Sequence, residues 1–242
     1  MKEQNVLAFP NLIYLFKFNE SCVSTPEPKF LLRGSDGGKM DQPNYCVVTL
    51  AKCKAVFMPE ALELTQGFKK EIEEKANPIS IRYGVLSTGQ HAGAIAFFQN
   101  YLSLEHFEKS FEIYQEAQDY RTLFESAHAH IISRNIVKYS PIQFDENLTA
   151  SPKYLVLTRI DTADSMAEQI TGLSPLFSEA GALTYRLGTI ITGTNVGNQI
   201  LGVTYSTMES IEKVYSFLDT HPDYKALLAK VTVNMRDIVK LQ

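Results

Sequence analysis

The sequence predicts an α+β fold: two tandem βαββαβ units whose antiparallel sheets pack face to face as a barrel within one chain, helices outside. Two observations carry this prediction. The first is an internal repeat: Arg82 to Tyr120 aligns without a gap on Arg186 to Tyr224 at an offset of 104, with 11 identities in 39 positions. Composition alone would give roughly two or three. The second is the strand that opens each copy. In Tyr45 to Lys54 both alternating sets are largely apolar, with Tyr45, Val47 and Ala51 on one side and Cys46, Val48 and Leu50 on the other. Such a strand is buried on both faces. The helices of one unit cover one face of its sheet, and the bare face of the other copy can cover the second.

The elements follow in order. Tyr45 to Lys54 is rich in β-branched residues and reads as a strand. Pro59 to Ala76 reads as a helix, with Pro59 suited to its first turn and Ala61, Leu64, Phe68 and Ile72 on one stripe. Ile79 to Ser87 and Ala94 to Tyr101 are strands around the glycine-bearing turn Thr88 to Gly93. Ser103 stands where it can cap the next helix, whose buried face is expected to be Phe107, Phe111 and Tyr114. Ala127 to Lys138 is the last strand, which completes the ferredoxin-like order. The second copy begins at Tyr154. Its first helix, about Ala163 to Ala180, contains Pro175 and is expected to kink or end early. Ser206 to Glu209 has the pattern of a capping box.

Residues 40–140 thus form repeat one, 141–152 a linker and 153–242 repeat two. Residues 1–39 match neither copy and read as an N-terminal extension. Asp36 to Met40 can be encoded by a purine-rich stretch resembling a ribosome-binding site followed by a start codon, so Met40 is an alternative first residue. The net charge of −4, without a basic stripe, gives no reason to expect nucleic acid. No apolar run reaches the roughly 20 residues of a membrane span, and no membrane partner is expected. The odd cysteine count of 3 fits a reducing compartment, hence a cytoplasmic location.

At this point the chain resembles the dimeric α+β-barrel superfamily. Its members include antibiotic-biosynthesis-type monooxygenases, NIPSNAP-like and EthD-like proteins and, among tandem forms, chlorite-dismutase-like haem proteins. The resemblance spans about residues 45–242 and includes an R-x-G-x(3)-T-G-x(3)-G hairpin in both copies. Gly89 and Gly193 suit positive φ in the turns, and Gly84 and Gly188 suit a bulge or close backbone approach. In the tandem haem proteins the resemblance places the haem in the second copy, where the only histidine here is His221 in a predicted loop. No cofactor is therefore expected.

Polar residues recurring on strands are the candidate site. Ser80, Arg82 and Gly84 alternate on the second strand, as do Thr184, Arg186 and Gly188. On the fourth strand His128, His130, Ile132 and Arg134 are expected on one face, and Thr232, Asn234 and Arg236 on the matching one. These polar sets are expected to point into the barrel, with Arg82, Arg134, Arg186, Arg236, Tyr101 and Tyr205 as ligand-binding residues. Buried guanidinium groups need a carboxylate, a carbonyl or an anionic ligand. Strand ends that let them reach water or pair with Asp and Glu are the alternative. His128 and His130 are candidate general bases. They have metal-compatible spacing, but nothing nearby supplies a third ligand, and no metal is expected.

Three functions are compatible with this pattern: a barrel binding a small apolar or aromatic molecule, a cofactor-free monooxygenase or isomerase, and a structural protein with a filled barrel. A closed void of roughly 300 Å³ separates the first two from the third. Exposed sheet edges offer a route to a homodimer.

Overall fold

The computed structural model describes residues 42–126 and 129–242. The expectations for residues 1–39, including the alternative start at Met40, and for His128 lie outside the described residues. The first half runs β1 (Tyr45–Lys52), α1 (Met58–Lys75), β2 (Ser80–Leu86), β3 (Ile95–Tyr101), α2 (Leu104–Glu116), α3 (Gln118–Glu125) and β4 (His130–Tyr139). The second runs β5 (Tyr154–Asp161), α4 (Ala167–Glu179), β6 (Ala182–Thr192), β7 (Gln199–Tyr205), α5 (Met208–Thr220), α6 (Pro222–Leu228) and β8 (Thr232–Leu241). Each expected second helix is thus two, separated at Ala117 and at His221, whose backbones are extended.

The eight strands form one closed antiparallel barrel in the order β1-β3-β2-β8-β5-β7-β6-β4. The two sheets therefore face each other and are also stitched along both edges, β2 to β8 and β4 to β6. Closure leaves no free edge among these strands, so the edge-pairing route to a homodimer is not available to them.

The duplicated glycines explain how the seams close. A Cβ on Gly84 would collide with the β8 backbone at Lys240, and one on Gly188 with Val137 and the backbone of Lys138 on β4. Gly89 and Gly193 have φ of +85° and +98°. Their turns rest on the opposite half: Ile238 N–H donates to Thr88 Oγ1 at 2.8 Å, and Thr194 N–H donates to Asn135 Oδ1 at 2.7 Å. The repeated motif is the clasp between the copies.

The core has an interior and two outer layers. Cys46, Leu86, Ala96, Phe98, Val137, Leu155, Leu157, Ile190 and Val239 fill the barrel. Outside it, α1 and α2 cover the first sheet with Phe68, Ile72, Phe107, Ile113 and Tyr114. Ile170, Leu173, Phe177, Ile211, Val214 and Leu218 do the same for the second. Phe111, expected in the buried face of α2, is 48% exposed, and Ser110 and Ile113 are buried instead. Ser103 occupies the N-cap position but makes no side-chain cap bond. In the second copy the cap is Thr207, which accepts from Ser210 N–H, rather than Ser206. Pro175 lies within α4, which continues four residues beyond it to Glu179. Among the described residues no helix is long and apolar enough to cross a membrane.

Candidate functional site

The structure divides the four arginines into two kinds. A residue is added to β4 at Ile132, because Leu50 pairs with Ser133 while Ala51 pairs with Ile131. An equivalent shift occurs on β8, where Arg159 pairs with Met235 and Ile160 with Val233. A bulge of this kind moves every later side chain to the other face. Strict alternation from His130 to Arg134 therefore fails. Arg134 and Arg236 lie outside the barrel, between sheet and helices, and do not share the interior with Arg82 and Arg186.

The outer arginines have matching surroundings. Arg134 donates to Thr49 Oγ1 at 3.0 Å and to Tyr120 OH at 3.1 Å, and its guanidinium lies 4.4 Å from the centre of the Tyr114 ring. Arg236 donates to Thr158 Oγ1 at 3.4 Å and to Tyr224 OH at 2.9 Å, 4.8 Å from the Tyr215 ring. Aromatic faces and hydroxyls satisfy these cations without a carboxylate. Tyr101 and Tyr205 belong to the same outer layers. Tyr101 OH donates to Gln99 Oε1 at 2.8 Å and lies 2.7 Å from Ser110 Oγ. Burial pushes the pKa of both tyrosines up.

Arg82 and Arg186 occupy one end of the barrel interior. Two forked bonds at 2.6 Å tie Arg186 to Glu146, Nε to Oε1 and Nη2 to Oε2. Burial opposes the Arg186 charge, but the bonds to Glu146 and the charges around it raise its pKa overall. Glu146 comes from the linker, which runs along β6: Ser140 N–H donates to Leu187 O at 2.9 Å and Asn147 N–H to Leu183 O at 2.8 Å. The Phe144 ring packs 5.3 Å from that of Tyr185. Nearby, Tyr139 OH donates to Asn100 Oδ1 at 2.9 Å, Asn100 Nδ2 donates to Ser80 Oγ at 3.0 Å, and Thr184 and Thr204 bond each other at 2.8 Å.

Arg82 differs from its counterpart. Among the described residues its guanidinium has no hydrogen-bond or ion-pair partner, and burial followed by repulsion from Arg186 lowers its pKa. It faces a void of about 70 Å³ walled by Cys46, Val48, Phe98, Leu155, Leu157 and Ile200 among others. One cause of the void is an asymmetry between the copies. At the 104-residue offset Phe98 corresponds to Gly202, so a ring in one half faces no side chain in the other. Burial pushes the Cys46 thiol up to about 11, which keeps it protonated at neutral pH. A larger space of about 250 Å³ shares Tyr139 and Arg186 as walls and is also bounded by Asn44, Ile142, Phe144 and Glu146.

His130 is exposed at the start of β4, opposite Lys52, and does not line the void. Among the described residues no cluster of three or more His, Cys, Asp or Glu could hold a metal. The space between the second sheet and its helices holds about 30 Å³, and among the described residues no histidine lines it, so the residues there do not fit a haem. Reading the sequence alone missed Glu146, Tyr139 and Asn100. The available signal was the apolar pair Ile142 and Phe144 in a linker, which marks a packed segment.

Comparison with protein families supplies the relationship. One family model matches the chain twice, at residues 43–139 and 152–241, and it describes a domain of unknown function, DUF6854. The chain belongs to the DUF6854 family. No curated protein sequence matches it significantly. Solved structures resemble this DUF6854 chain in fold. A "Putative monooxygenase" from Fusobacterium nucleatum superposes with a TM-score of 0.57 at 12% identity, covering 83% of this chain and 92% of that one. A second, from Lactobacillus acidophilus, gives 0.51 at 13% identity, covering 84% and 94%. A mutant chlorite dismutase from Candidatus Nitrospira defluvii gives 0.56 at 10% identity, covering 86% and 95%. At such identities the likeness is one of fold, the α+β barrel.

Proposed function

We propose that this DUF6854 chain is a binding protein for a small organic acid, held inside the barrel with its carboxylate at Arg82. The observation that carries the reading is the Arg82 guanidinium, without a hydrogen-bond or ion-pair partner among the described residues, on the wall of a largely apolar void. Burial and the Arg186 charge oppose the Arg82 cation more than Glu146 supports it, and a bound carboxylate offsets that cost through forked hydrogen bonds. The apolar wall would receive a short hydrocarbon body.

Size sets the limit. A void of about 70 Å³ holds roughly five to seven water-sized groups, well short of the roughly 300 Å³ of a drug-sized pocket. An aromatic or polyketide-sized molecule does not fit the interior void as it stands, and a short-chain acid such as butyrate does. The monooxygenase names of the fold neighbours suggest oxygen chemistry as an alternative. Among the described residues no His, Asp or Glu lines the void, and its thiol is held protonated, so none of them offers it a general base poised near neutrality.

The test is calorimetric titration of the full chain with butyrate, using butan-1-ol as the uncharged control. Binding of butyrate but not of the alcohol, lost at least tenfold in Arg82→Gln, is the expected result. Equal binding of acid and alcohol, or an unchanged affinity in Arg82→Gln, would overturn the reading.

A further inference from the structure

The geometry points to Glu146 as a built-in competitor that a larger ligand acid displaces from Arg186, opening the interior void into the neighbouring space. This rests on the reading above, in which the ligand's carboxylate is drawn to Arg82, beside Arg186. Three observations lead here. The Arg186–Glu146 fork has the geometry with which an arginine takes a ligand carboxylate. Glu146 belongs to neither sheet: it hangs from the linker, whose backbone is tied to β6 on both sides of it, at Ser140 and Asn147. Its side chain can therefore leave Arg186 while the segment that carries it stays anchored.

The third observation is where the pair stands. Arg186 and Tyr139 are walls common to the interior void of about 70 Å³ and the larger space of about 250 Å³. Neither space alone reaches the roughly 300 Å³ of a small-molecule pocket, and together they do. The ligand class follows from the walls. One end offers two guanidinium groups close enough to repel each other, and the interior offers valine, leucine, isoleucine and phenylalanine side chains. Aromatic side chains, Tyr139, Phe144 and Tyr185, line the outer space. A monocarboxylic acid with an extended apolar or aromatic body matches this arrangement, and a neutral analogue cannot replace Glu146. Glu146 makes the site selective, because only an anion can exchange for an anion on Arg186.

The experiment compares two probes on the full chain, butyrate and 4-phenylbutyrate, in the parent protein and in Glu146→Gln. The expected result is at least tenfold tighter binding of 4-phenylbutyrate in Glu146→Gln, with butyrate changed less than twofold and 4-phenylbutan-1-ol gaining nothing. The gain should disappear in the Glu146→Gln, Arg186→Gln double variant. Equal affinity for 4-phenylbutyrate in parent and variant, with butyrate still bound, would overturn the competitor role and leave the Arg82 reading intact. Loss of butyrate binding in the parent would sink the Arg82 reading, and this inference with it. Should Glu146→Gln fail to fold, Glu146→Asp keeps the charge but shortens its reach, and the same tenfold comparison decides.

Discussion

Gly202→Ala tests whether the interior void is real and whether it is used. Gly202 is the β7 residue at the repeat position of Phe98, and a Cβ built there would lie 3.6 Å from Leu155 Cδ1 and 3.7 Å from Leu157 Cδ2. Those are ordinary contact distances, so the methyl enters without moving its neighbours. Two effects then favour the variant. Replacing a strand-interior glycine by alanine gains roughly 0.5–1 kcal/mol through backbone entropy, and burying one more carbon adds about 0.8 kcal/mol. The sum, about 1–2 kcal/mol, corresponds to a rise in melting temperature of roughly 3–7 °C for a chain of this size. Thermal unfolding followed by circular dichroism measures it. Because the methyl occupies part of the ligand's place, acid preference should move from butyrate toward propionate in calorimetric titrations. A destabilised Gly202→Ala, or one that binds butyrate as the parent does, would refute the reasoning, since the void would then be absent or irrelevant.

Three further outcomes follow from the same geometry. Arg82→Met removes a guanidinium that has no hydrogen-bond partner among the described residues while keeping its apolar stem, and should stabilise the unliganded protein by about 1–2 kcal/mol in denaturant titrations. Gly89→Ala places a side chain at φ +85° against the Asp237 carboxylate, and should cost about 1–3 kcal/mol by the same measurement. Asp237 is 5% exposed, and burial raises its pKa, with the charges of His91 and Arg159 opposing. A raised carboxyl pKa favours folding below the unfolded-state value of about 3.9 and loses that contribution as pH rises through the folded-state value. Asp237→Asn, which copies Asn135 at the matching position of the first half, should therefore raise stability at pH 7. It should also steepen the rise of stability with pH on the acid limb, because the opposing contribution of Asp237 is gone. An acid limb identical to the parent's would refute the assignment.

The candidate site was legible only in part, for a local reason. Arg82 and Arg186 follow strict alternation along regular stretches of β2 and β6, so their interior placement could be read from spacing. Arg134 and Arg236 lie beyond bulges at Ile132 and Asn234, and one unpaired residue is enough to reverse the face. Nothing in the local pattern announces that extra residue, since Ile131 and Ile132 both suit a strand. The same limit applies to Phe111: the stripe of Phe107, Phe111 and Tyr114 is apolar, but in the packed helix Ile113 is buried and Phe111 is left exposed.

By itself the sequence determined the duplicated unit, the two-sided burial of β1 and the glycine positions, because each is set by local backbone sterics and by alternation along one strand. Tertiary structure alone decided that the sheets join edge to edge into a closed barrel, that a linker glutamate meets Arg186, and that Arg82 has no hydrogen-bond or ion-pair partner among the described residues. Those outcomes depend on which distant segments meet once the copies clasp. Ion pairing between residues forty apart, as for Glu146 and Arg186, is a property of that packing, and chain spacing does not encode it.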